Sequence, residues 1–198
     1  MRILIVGASG TIGSAVVAAL GGRHELVLAS QHKAPEIVDI ADPASIRALF
    51  ARIGRVDAVV NAAGRAAFKP FSELADADFE FSLRSKLMGQ VNLFRTGLEW
   101  IADNGSFTLT AGYLARHPMP GSVAGSLVNA ALEGFARAAA LEAPRGIRVN
   151  AVSPSWITET LQKLGRPLTG GIPAATVAQA YVRSVEGTET GQVIDPRT

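Results

Sequence analysis

The fold is decided by the stretch Ile3-Leu4-Ile5-Val6-Gly7-Ala8-Ser9-Gly10-Thr11-Ile12-Gly13, in which a short apolar run precedes three glycines. The run has the composition of a buried strand, and the segment after it has the spacing of a helix. Glycines at such a junction allow a tight turn, a close approach of backbone N–H groups to a pyrophosphate, and close packing of the helix on the strand. The helix N-terminus adds partial positive charge. The stretch therefore predicts a dinucleotide-binding turn, the alternative being an ordinary glycine-rich turn.

The alternation of short apolar runs and longer helical segments continues along the chain. Because the runs lack the in/out alternation of half-exposed strands, we expect a mostly parallel sheet covered by helices on both faces. The sequence thus predicts a doubly wound, Rossmann-type α/β fold of about seven strands. The predicted strands are residues 3–6, 26–29, 36–39, 58–60, 107–109, 147–152 and 193–194. The predicted helices are residues 11–21, 43–52, 72–102, 122–143 and 173–185.

Length and composition set limits on organisation and function. A chain of 198 residues can bury one substantial core, so we expect a single domain over residues 1–198, with a short substrate flap near residues 155–173. The 19 basic and 17 acidic residues form no stripe, which disfavours nucleic-acid binding. No cysteine is present, and no apolar run approaches the length of a membrane span. We therefore expect a cytoplasmic protein without a membrane partner.

Three further motifs follow the glycine-rich turn: Val38-Asp39-Ile40, Asn61-Ala62-Ala63-Gly64 and Arg148-Val149-Asn150-Ala151-Val152-Ser153-Pro154. Together with the turn they span nearly the whole chain, and they resemble the short-chain dehydrogenase/reductase family. The resemblance implies a nicotinamide cofactor, a small-molecule substrate, and hydride transfer to or from a carbonyl or alcohol. The turn departs from the commonest family spacing, since Gly10 precedes Thr11 where many members place a glycine.

The resemblance also implies which residues hold the cofactor. Asp39 is expected to accept a hydrogen bond from the adenine amino group, although a helix or turn cap is the alternative role for this side chain. The segment from Asn61 to Gly64 is expected beside the adenine ribose, and Thr158 or Thr160 is expected to hold the nicotinamide carboxamide. The predicted cofactor-binding residues are Gly7, Ser9, Gly10, Thr11, Ile12, Gly13, Ser30, Gln31, Asp39, Ile40, Asn61, Ala62, Ala63, Gly64, Lys86, Pro154 and Thr158.

The end of the second predicted strand bears on the choice of cofactor. NAD-preferring domains usually carry a carboxylate there, which accepts from the ribose hydroxyls and repels a 2′-phosphate. This chain instead has Ser30, Gln31 and Lys33, which can all donate hydrogen bonds to a phosphate. The sequence therefore favours NADP(H) over NAD(H), the alternative being a solvated loop with an incidental lysine.

The catalytic side chains of the family are absent from their usual places. Aligning residues 129–135 with the family pattern puts Gly125 at the position of the tyrosine and Asn129 at that of the lysine. The family serine falls at Ala111 or Gly112, and the asparagine of the preceding helix falls at Lys86. The usual proton relay therefore cannot operate in this chain.

Tyr113 and Lys86 are the best candidates for catalytic residues. Tyr113 follows the fifth strand at the carboxyl edge of the sheet, and Lys86 is expected to face the same crevice from a neighbouring helix. A lysine beside a phenol favours the phenolate and makes an acid/base pair. The alternative is a packed loop tyrosine and a lysine that is solvated or contacts the nicotinamide ribose. The three histidines lie in separate loops without the spacing of metal ligands, so we predict no metal site.

Two functions fit these residues. The first is an NADP-dependent oxidoreductase with an atypical proton relay. The second is a catalytically inactive NADP(H)-binding sensor or regulatory protein, which the missing tyrosine and lysine favour.

The predicted helices 72–102 and 122–143 carry apolar residues on more than one face, which predicts a homodimer or homotetramer.

Overall fold

The computed structural model describes residues 1–198 and contains one seven-stranded sheet. The strands are β1 (Arg2–Val6), β2 (Glu25–Ser30), β3 (Glu36–Ile37), β4 (Val56–Asn61), β5 (Ile101–Thr110), β6 (Arg148–Val152) and β7 (Val193–Ile194). The helices are α1 (Thr11–Leu20), α2 (Pro43–Ile53), α3 (Asp76–Ser82), α4 (Gly89–Gly97), α5 (Val123–Glu142), α6 (Thr158–Lys163) and α7 (Ala174–Glu186). All neighbouring strands are parallel, in the order β3-β2-β1-β4-β5-β6-β7. The predicted doubly wound α/β fold is confirmed.

Two apolar cores lie on opposite faces of this sheet, because successive strand residues point to opposite sides. In β1, Leu4 and Val6 belong to the core beneath α2, α4 and α5, whereas Ile3 and Ile5 belong to the core beneath α1 and α7. All four side chains are at most 1% exposed. Burial on both faces explains why the strand sequences show no polar alternation. None of the helices combines the length and the apolar composition that a membrane span requires.

The strand order places a switch point between β1 and β4. The chain runs outward from β1 to β2 and β3, then crosses back to β4 and continues to β7. In open parallel sheets, ligands bind beyond the carboxyl ends of the strands at such a point. The turn after β1 and the last residues of β4 and β5, Asn61 and Thr110, therefore meet at one edge of the sheet.

The single helix predicted over residues 72–102 is wrong. The chain leaves α4 early because Ile101 pairs with Val56 at the start of β4, and the Val56 N–H donates to the Trp100 carbonyl at 3.0 Å. Strand pairing therefore overrides the helical spacing of the sequence. The region divides into a 3₁₀ turn (Phe71–Glu73), α3, a π-helical segment (Leu83–Met88), α4 and the beginning of β5.

The predicted flap contains the short helix α6, which sequence spacing had not indicated. Its base is closed where Ile157 and Ile172 form a parallel bridge. The N–H of Thr158 donates to the Ile172 carbonyl at 3.0 Å, and the Ile172 N–H donates to the Trp156 carbonyl at 2.9 Å. These bonds fix both ends of the flap beside the carboxyl edge of the sheet.

The close packing of α4 on β5 leads to a stability prediction. A Cβ on Gly97 would lie 2.7 Å from Phe107 Cζ and 2.9 Å from Phe50 Cζ, both in fully buried rings. Gly97→Ala should therefore lower the free energy of unfolding by about 1–3 kcal/mol through overpacking. Urea denaturation measures the change.

Gly134→Ala is the matched control for this substitution. Gly134 lies inside α5, and no surrounding atom comes within 4 Å of its missing Cβ. The added methyl group should raise stability by up to about 1 kcal/mol, because it restricts the unfolded chain without a clash. If Gly97→Ala proves as harmless as Gly134→Ala, the tight contact between α4 and the two rings is contradicted.

Candidate cofactor and active site

The turn between β1 and α1 is shaped for close backbone contact. Gly7 has a φ of 85°, and a Cβ there would lie 2.8 Å from the carbonyl carbon of Ala62. A Cβ on Gly13 would lie 2.0 Å from the Gly7 carbonyl oxygen, so only glycine lets the helix begin this close to the strand. The N–H groups of Thr11, Ile12 and Gly13 have no partner in the protein, and no side chain caps the helix. These donors and the helix dipole suit a pyrophosphate.

A cleft of about 200 Å³, here called the adenosine cleft, lies beside this turn at the ends of β1, β2 and β4. Ser30, 5% exposed, accepts a hydrogen bond at Oγ from the Lys33 N–H at 3.0 Å, which leaves the hydroxyl proton free for a ligand. The position of the cleft is the one that this fold uses for the adenosine half of a dinucleotide. Seven predicted residues line it: Gly7, Ser30, Gln31, Asp39, Ile40, Ala63 and Gly64.

Two arginines in the adenosine cleft were not predicted from the sequence. Arg65 and Arg84 line it, and neither forms an ion pair with a carboxylate. The guanidinium carbon of Arg65 lies 5.6 Å from the centroid of the Phe81 ring. Arg65 directly follows the motif that ends at Gly64, and Arg84 precedes Lys86 by two positions. Their positions next to Gly64 and close to Lys86 were the only indication in the sequence that the two arginines line this cleft.

Asp39 and Asn61 each leave an oxygen without a partner. Asp39 Oδ1 accepts from the Ala41 N–H at 2.9 Å, which is the capping role, while Oδ2 accepts no hydrogen bond. Asn61 is fully buried; its Nδ2 donates to the Ala63 carbonyl at 2.8 Å, and its Oδ1 has no partner. Capping therefore occupies one oxygen of Asp39, and its contact with adenine stays a prediction.

Two adjoining clefts lie on the other side of the turn. The inner cleft, of about 210 Å³, follows the ends of β5 and β6, and the outer cleft, of about 570 Å³, reaches the flap. Three predicted residues line the inner cleft besides the lysine described next: Ile12, Tyr113 and Pro154. Four side chains line both clefts: Lys86, Leu114, Asn129 and Trp156. The two clefts therefore form one space at the end of the sheet.

Lys86 enters this space from the π-helical segment. Its Nζ donates to the Ala111 carbonyl at 3.1 Å. Gln90 holds the segment against β5: its Nε2 donates to the Lys86 and Thr110 carbonyls at 3.1 and 2.9 Å, and its Oε1 accepts from the Thr110 N–H at 2.8 Å. Desolvation by the surrounding protein lowers the pKa of Lys86 from 10.5 to about 8. This side chain can therefore exchange a proton near neutral pH.

Asn129 reaches the same space from α5. It is 5% exposed, and its Oδ1 has no hydrogen-bond partner. A Cβ on Gly112 would lie 2.8 Å from Asn129 Nδ2, so the absence of a side chain at residue 112 makes room for the amide. An unpartnered buried acceptor costs about 1–3 kcal/mol, a cost that a ligand hydroxyl would remove. The site therefore fits a ribose or another hydroxyl-bearing ligand.

Tyr113 lies in a 3₁₀ turn after β5, where its N–H donates to the Pro154 carbonyl at 2.8 Å. Its ring is stacked on His117 with centroids 4.0 Å apart, and the guanidinium carbon of Arg197 lies 4.3 Å from its centroid. Tyr113 and Lys86 both line the inner cleft, but no hydrogen bond joins them. The acid/base role of this pair stays a prediction.

The position of the family tyrosine leaves open space in this chain. Gly125, in the first turn of α5, lines the outer cleft, and a Cβ there would meet only Leu114 Cδ1, at 4.0 Å. No phenol or hydroxyl replaces the tyrosine from the same point of the helix. The room that a tyrosine would fill is therefore part of the outer cleft.

The remaining predicted residues lie at the margins of these clefts. Thr160 lines the outer cleft, whereas Thr158 lines neither the inner nor the outer one. Ser9 and Gly10 are exposed on the glycine-rich turn. No group of three or more His, Cys, Asp or Glu side chains comes close enough together to hold a metal ion.

The chain is similar to a family model, to curated proteins and to solved structures. A family model described as enoyl-(acyl carrier protein) reductase matches residues 15–194. The oxidoreductase UcpA of Escherichia coli is 33% identical over 129 residues, which are 61% of this chain and 49% of UcpA. The chain thus spans about half the length of this curated relative.

Two other proteins are similar over more of their length. Carbonyl reductase [NADPH] 2 of Sus scrofa is 30% identical over 188 residues, covering 85% of this chain and 75% of the reductase. The crystal structure of the protein lin1944 from Listeria innocua has 41% identity and a TM-score of 0.95, and the match covers 98% of both chains. The whole of the fold described above therefore recurs in a solved structure.

Proposed function

The chain belongs to the short-chain dehydrogenase/reductase family, and on that premise we propose that it is an NADP(H)-dependent oxidoreductase acting on a small carbonyl or alcohol. The observation that carries the proposal is the desolvated ammonium of Lys86 in the cleft where the family's catalytic lysine is replaced by Asn129. The family pattern has asparagine at position 86 and lysine at position 129. This chain has the same two residue types in exchanged positions, and both line the same clefts.

The residues present fit a nicotinamide dinucleotide. The unpartnered N–H groups at the start of α1 would bind the pyrophosphate, and Asn129 Oδ1 would accept a hydrogen bond from a ribose hydroxyl. When bound, the nicotinamide supplies the hydride for the carbonyl carbon or receives it from the alcohol. Lys86 would donate the proton to the carbonyl oxygen during reduction and regain one from water afterwards. Tyr113 lies in the same cleft and is the second candidate for this proton transfer.

The second candidate function is a catalytically inactive NADP(H)-binding sensor or regulatory protein. Gly125 and Ala111 favour it, because neither carries a group that could stabilise a developing alkoxide. The distinguishing observation is NADPH binding without NADPH consumption across a panel of carbonyl compounds. The open space at Gly125 allows a further test: Gly125→Tyr combined with Asn129→Lys would place the family's tyrosine and lysine in the cleft, and it should create activity if the wild type has none.

The adenosine cleft supports NADP(H) as the cofactor. No carboxylate directly follows β2, and the cleft adds Arg65 and Arg84, neither of which forms an ion pair. A 2′-phosphate carries about two negative charges, which these guanidinium groups can bind through charge-assisted hydrogen bonds. Pig carbonyl reductase [NADPH] 2 bears NADPH in its name, which agrees with this choice.

We expect NADPH to bind at least several-fold more tightly than NADH. Ser30→Asp should reverse the preference, because an aspartate keeps an acceptor for the Lys33 N–H and repels the 2′-phosphate. Ser30→Ala, which loses the hydroxyl without adding charge, should weaken NADPH binding and leave NADH binding nearly unchanged. Calorimetric titration measures all three proteins, and equal affinities of the wild type for both cofactors would refute the assignment.

Lys86→Met and Tyr113→Phe test the proton relay. A positioned general acid contributes about 100- to 10,000-fold, so each variant should lower turnover at least tenfold if its residue donates the proton. Tyr113→Phe should leave NADPH affinity nearly unchanged. With a pKa of about 8, Lys86 is protonated below that pH, so carbonyl reduction should slow as the pH rises through 8. Steady-state kinetics from pH 6 to 10 measure both effects.

The exchange of residue types supplies the control for this test. Combining Lys86→Asn with Asn129→Lys returns both positions to the family arrangement and keeps one ammonium in the cleft. The double variant should recover part of the activity that Lys86→Asn loses. If Lys86→Met and Tyr113→Phe both keep full activity, neither side chain donates the proton.

We further propose that the chain assembles as a homodimer or homotetramer. Val123 and Leu127 on α5 are 40% and 45% exposed, and Leu83 and Met88 on the neighbouring π-helical segment are 37% and 40% exposed. Exposed apolar side chains on two elements that contact each other suit packing against a second copy of the chain. Light scattering at micromolar concentration should give twice or four times the mass of the chain, and Leu127→Asp should shift it towards monomer. A wild-type monomer under these conditions would refute the proposal.

A further inference from the structure

The outer cleft combines aromatic side chains with a second cation. Phe68 and Trp156 meet edge to face, with ring centroids 5.7 Å apart and an interplanar angle of 81°. The guanidinium carbon of Arg166, which belongs to the flap, lies 5.7 Å from the centroid of each ring. All three side chains line the same cleft as Lys86. One space therefore holds the candidate proton donor, two aromatic rings and an arginine.

The positive charge in this space is not neutralised by the protein. No Asp or Glu lines either the inner or the outer cleft. Arg166 forms no ion pair, and its side chain donates no hydrogen bond within the protein. The acidic residue of the flap, Glu159, is turned away: its carboxylate accepts from the Ala174 N–H at 3.0 and 3.1 Å. The N–H groups of Arg166 are therefore available to a ligand.

We propose that the substrate of this site is a carbonyl compound that bears a carboxylate, with Arg166 binding the carboxylate and the aromatic pair contacting an apolar or aromatic body. The proposal rests on the proposed function, because it assigns a substrate class to the same cleft. Arg166 becomes a specificity-determining residue, and Lys86 remains the group that exchanges the proton with the carbonyl oxygen.

The geometry of the arginine favours a carboxylate over a neutral polar group. The guanidinium carbon of Arg166 lies 5.7 Å from both ring centroids, and a guanidinium carries its N–H groups in one planar fork to which a carboxylate can accept two parallel hydrogen bonds. Because no Asp or Glu lines the cleft, the carboxylate of the substrate meets no repulsion from an acidic side chain there. A neutral ester or amide of the same shape would gain packing on the rings but not the paired, charge-assisted bonds.

The experiment compares aromatic aldehydes in charged and uncharged pairs. Each pair consists of a carboxylate and its methyl ester, with the acid attached to the ring directly or through one or two methylene groups. NADPH consumption gives kcat/KM for each member. We expect the wild type to prefer the acid in at least one pair by tenfold or more, and Arg166→Ala to reduce that preference at least tenfold. Arg166→Lys keeps the positive charge but loses the paired N–H donors of the guanidinium, so this variant should keep part of the preference for the acid.

Arg95→Ala is the matched control. Arg95 is an exposed arginine on α4 that also lacks an ion pair, and it lines neither cleft. Its removal changes net charge by the same amount and should leave the acid-to-ester ratio as it is in the wild type. NADPH affinity of each variant shows whether the cofactor site has kept its shape.

Binding separates failure of this inference from failure of the proposed function. If the wild type consumes no NADPH with any aldehyde, titration of the same acids and esters into the NADP⁺ complex still measures the preference. Tighter binding of the acids that is lost in Arg166→Ala would support the inference even in an inactive protein. Ester preference in the wild type, or an acid preference that Arg166→Ala leaves intact, would overturn it.

Discussion

The buried side chain of Gln90 is the interaction on which the candidate active site depends. It is fully buried, and its three hydrogen bonds join the start of α4 to Thr110, the last residue of β5, and to the Lys86 carbonyl. Each buried backbone group that lost its partner would cost about 1–3 kcal/mol, so the contact strongly resists a shift of the helix along the strand. The π-helical segment lies next to this anchor, and π-helical turns occur frequently at functional sites. The position of Lys86 follows from that geometry.

Unpaired cations give the clefts their chemical character. Arg65 and Arg84 lie at the adenosine end, and Lys86 and Arg166 lie at the other end. Arginines elsewhere on the surface, such as Arg183 beside Glu189, often have carboxylate partners. The inner and outer clefts hold cations and no carboxylate, and the adenosine cleft holds two arginines against one carboxylate, that of Asp39. An excess of positive charge in a cleft concentrates anionic ligands, and salt weakens this attraction. The same physical property therefore favours a phosphorylated cofactor at one end and an acidic substrate at the other.

The sequence predicted the features that depend on neighbouring residues. The apolar strands, the glycine-rich turn and the motifs of Asp39 and Asn61 are local patterns, and they were enough to predict the α/β fold and seven of the residues that line the cleft beside the turn. The helix over residues 72–102 was wrong because its end is set by the pairing of Ile101 with Val56, which lies far away in the sequence. Arg166 was missed for the same reason: nothing near it in the chain shows that the flap brings it over Phe68 and Trp156. Contacts between distant segments decide these positions.

The energetics of Lys86 favour an enzyme over a protein that only binds the cofactor. A pKa that falls from 10.5 to about 8 means that holding the ammonium in the cleft costs roughly 3 kcal/mol. Binding of the cofactor phosphates does not require a charged Lys86, because the turn at α1 and the adenosine cleft already supply hydrogen-bond donors for them. A neutral asparagine at position 86, as in the family pattern, would avoid this cost. A strongly perturbed group in a cleft is typical of catalytic sites, where a pKa near the working pH makes proton transfer efficient. The exchange of Lys86 and Asn129 therefore has a physical reason if the ammonium takes part in a reaction, whereas an ammonium that only contacts the nicotinamide ribose would have to offset this cost through that one contact.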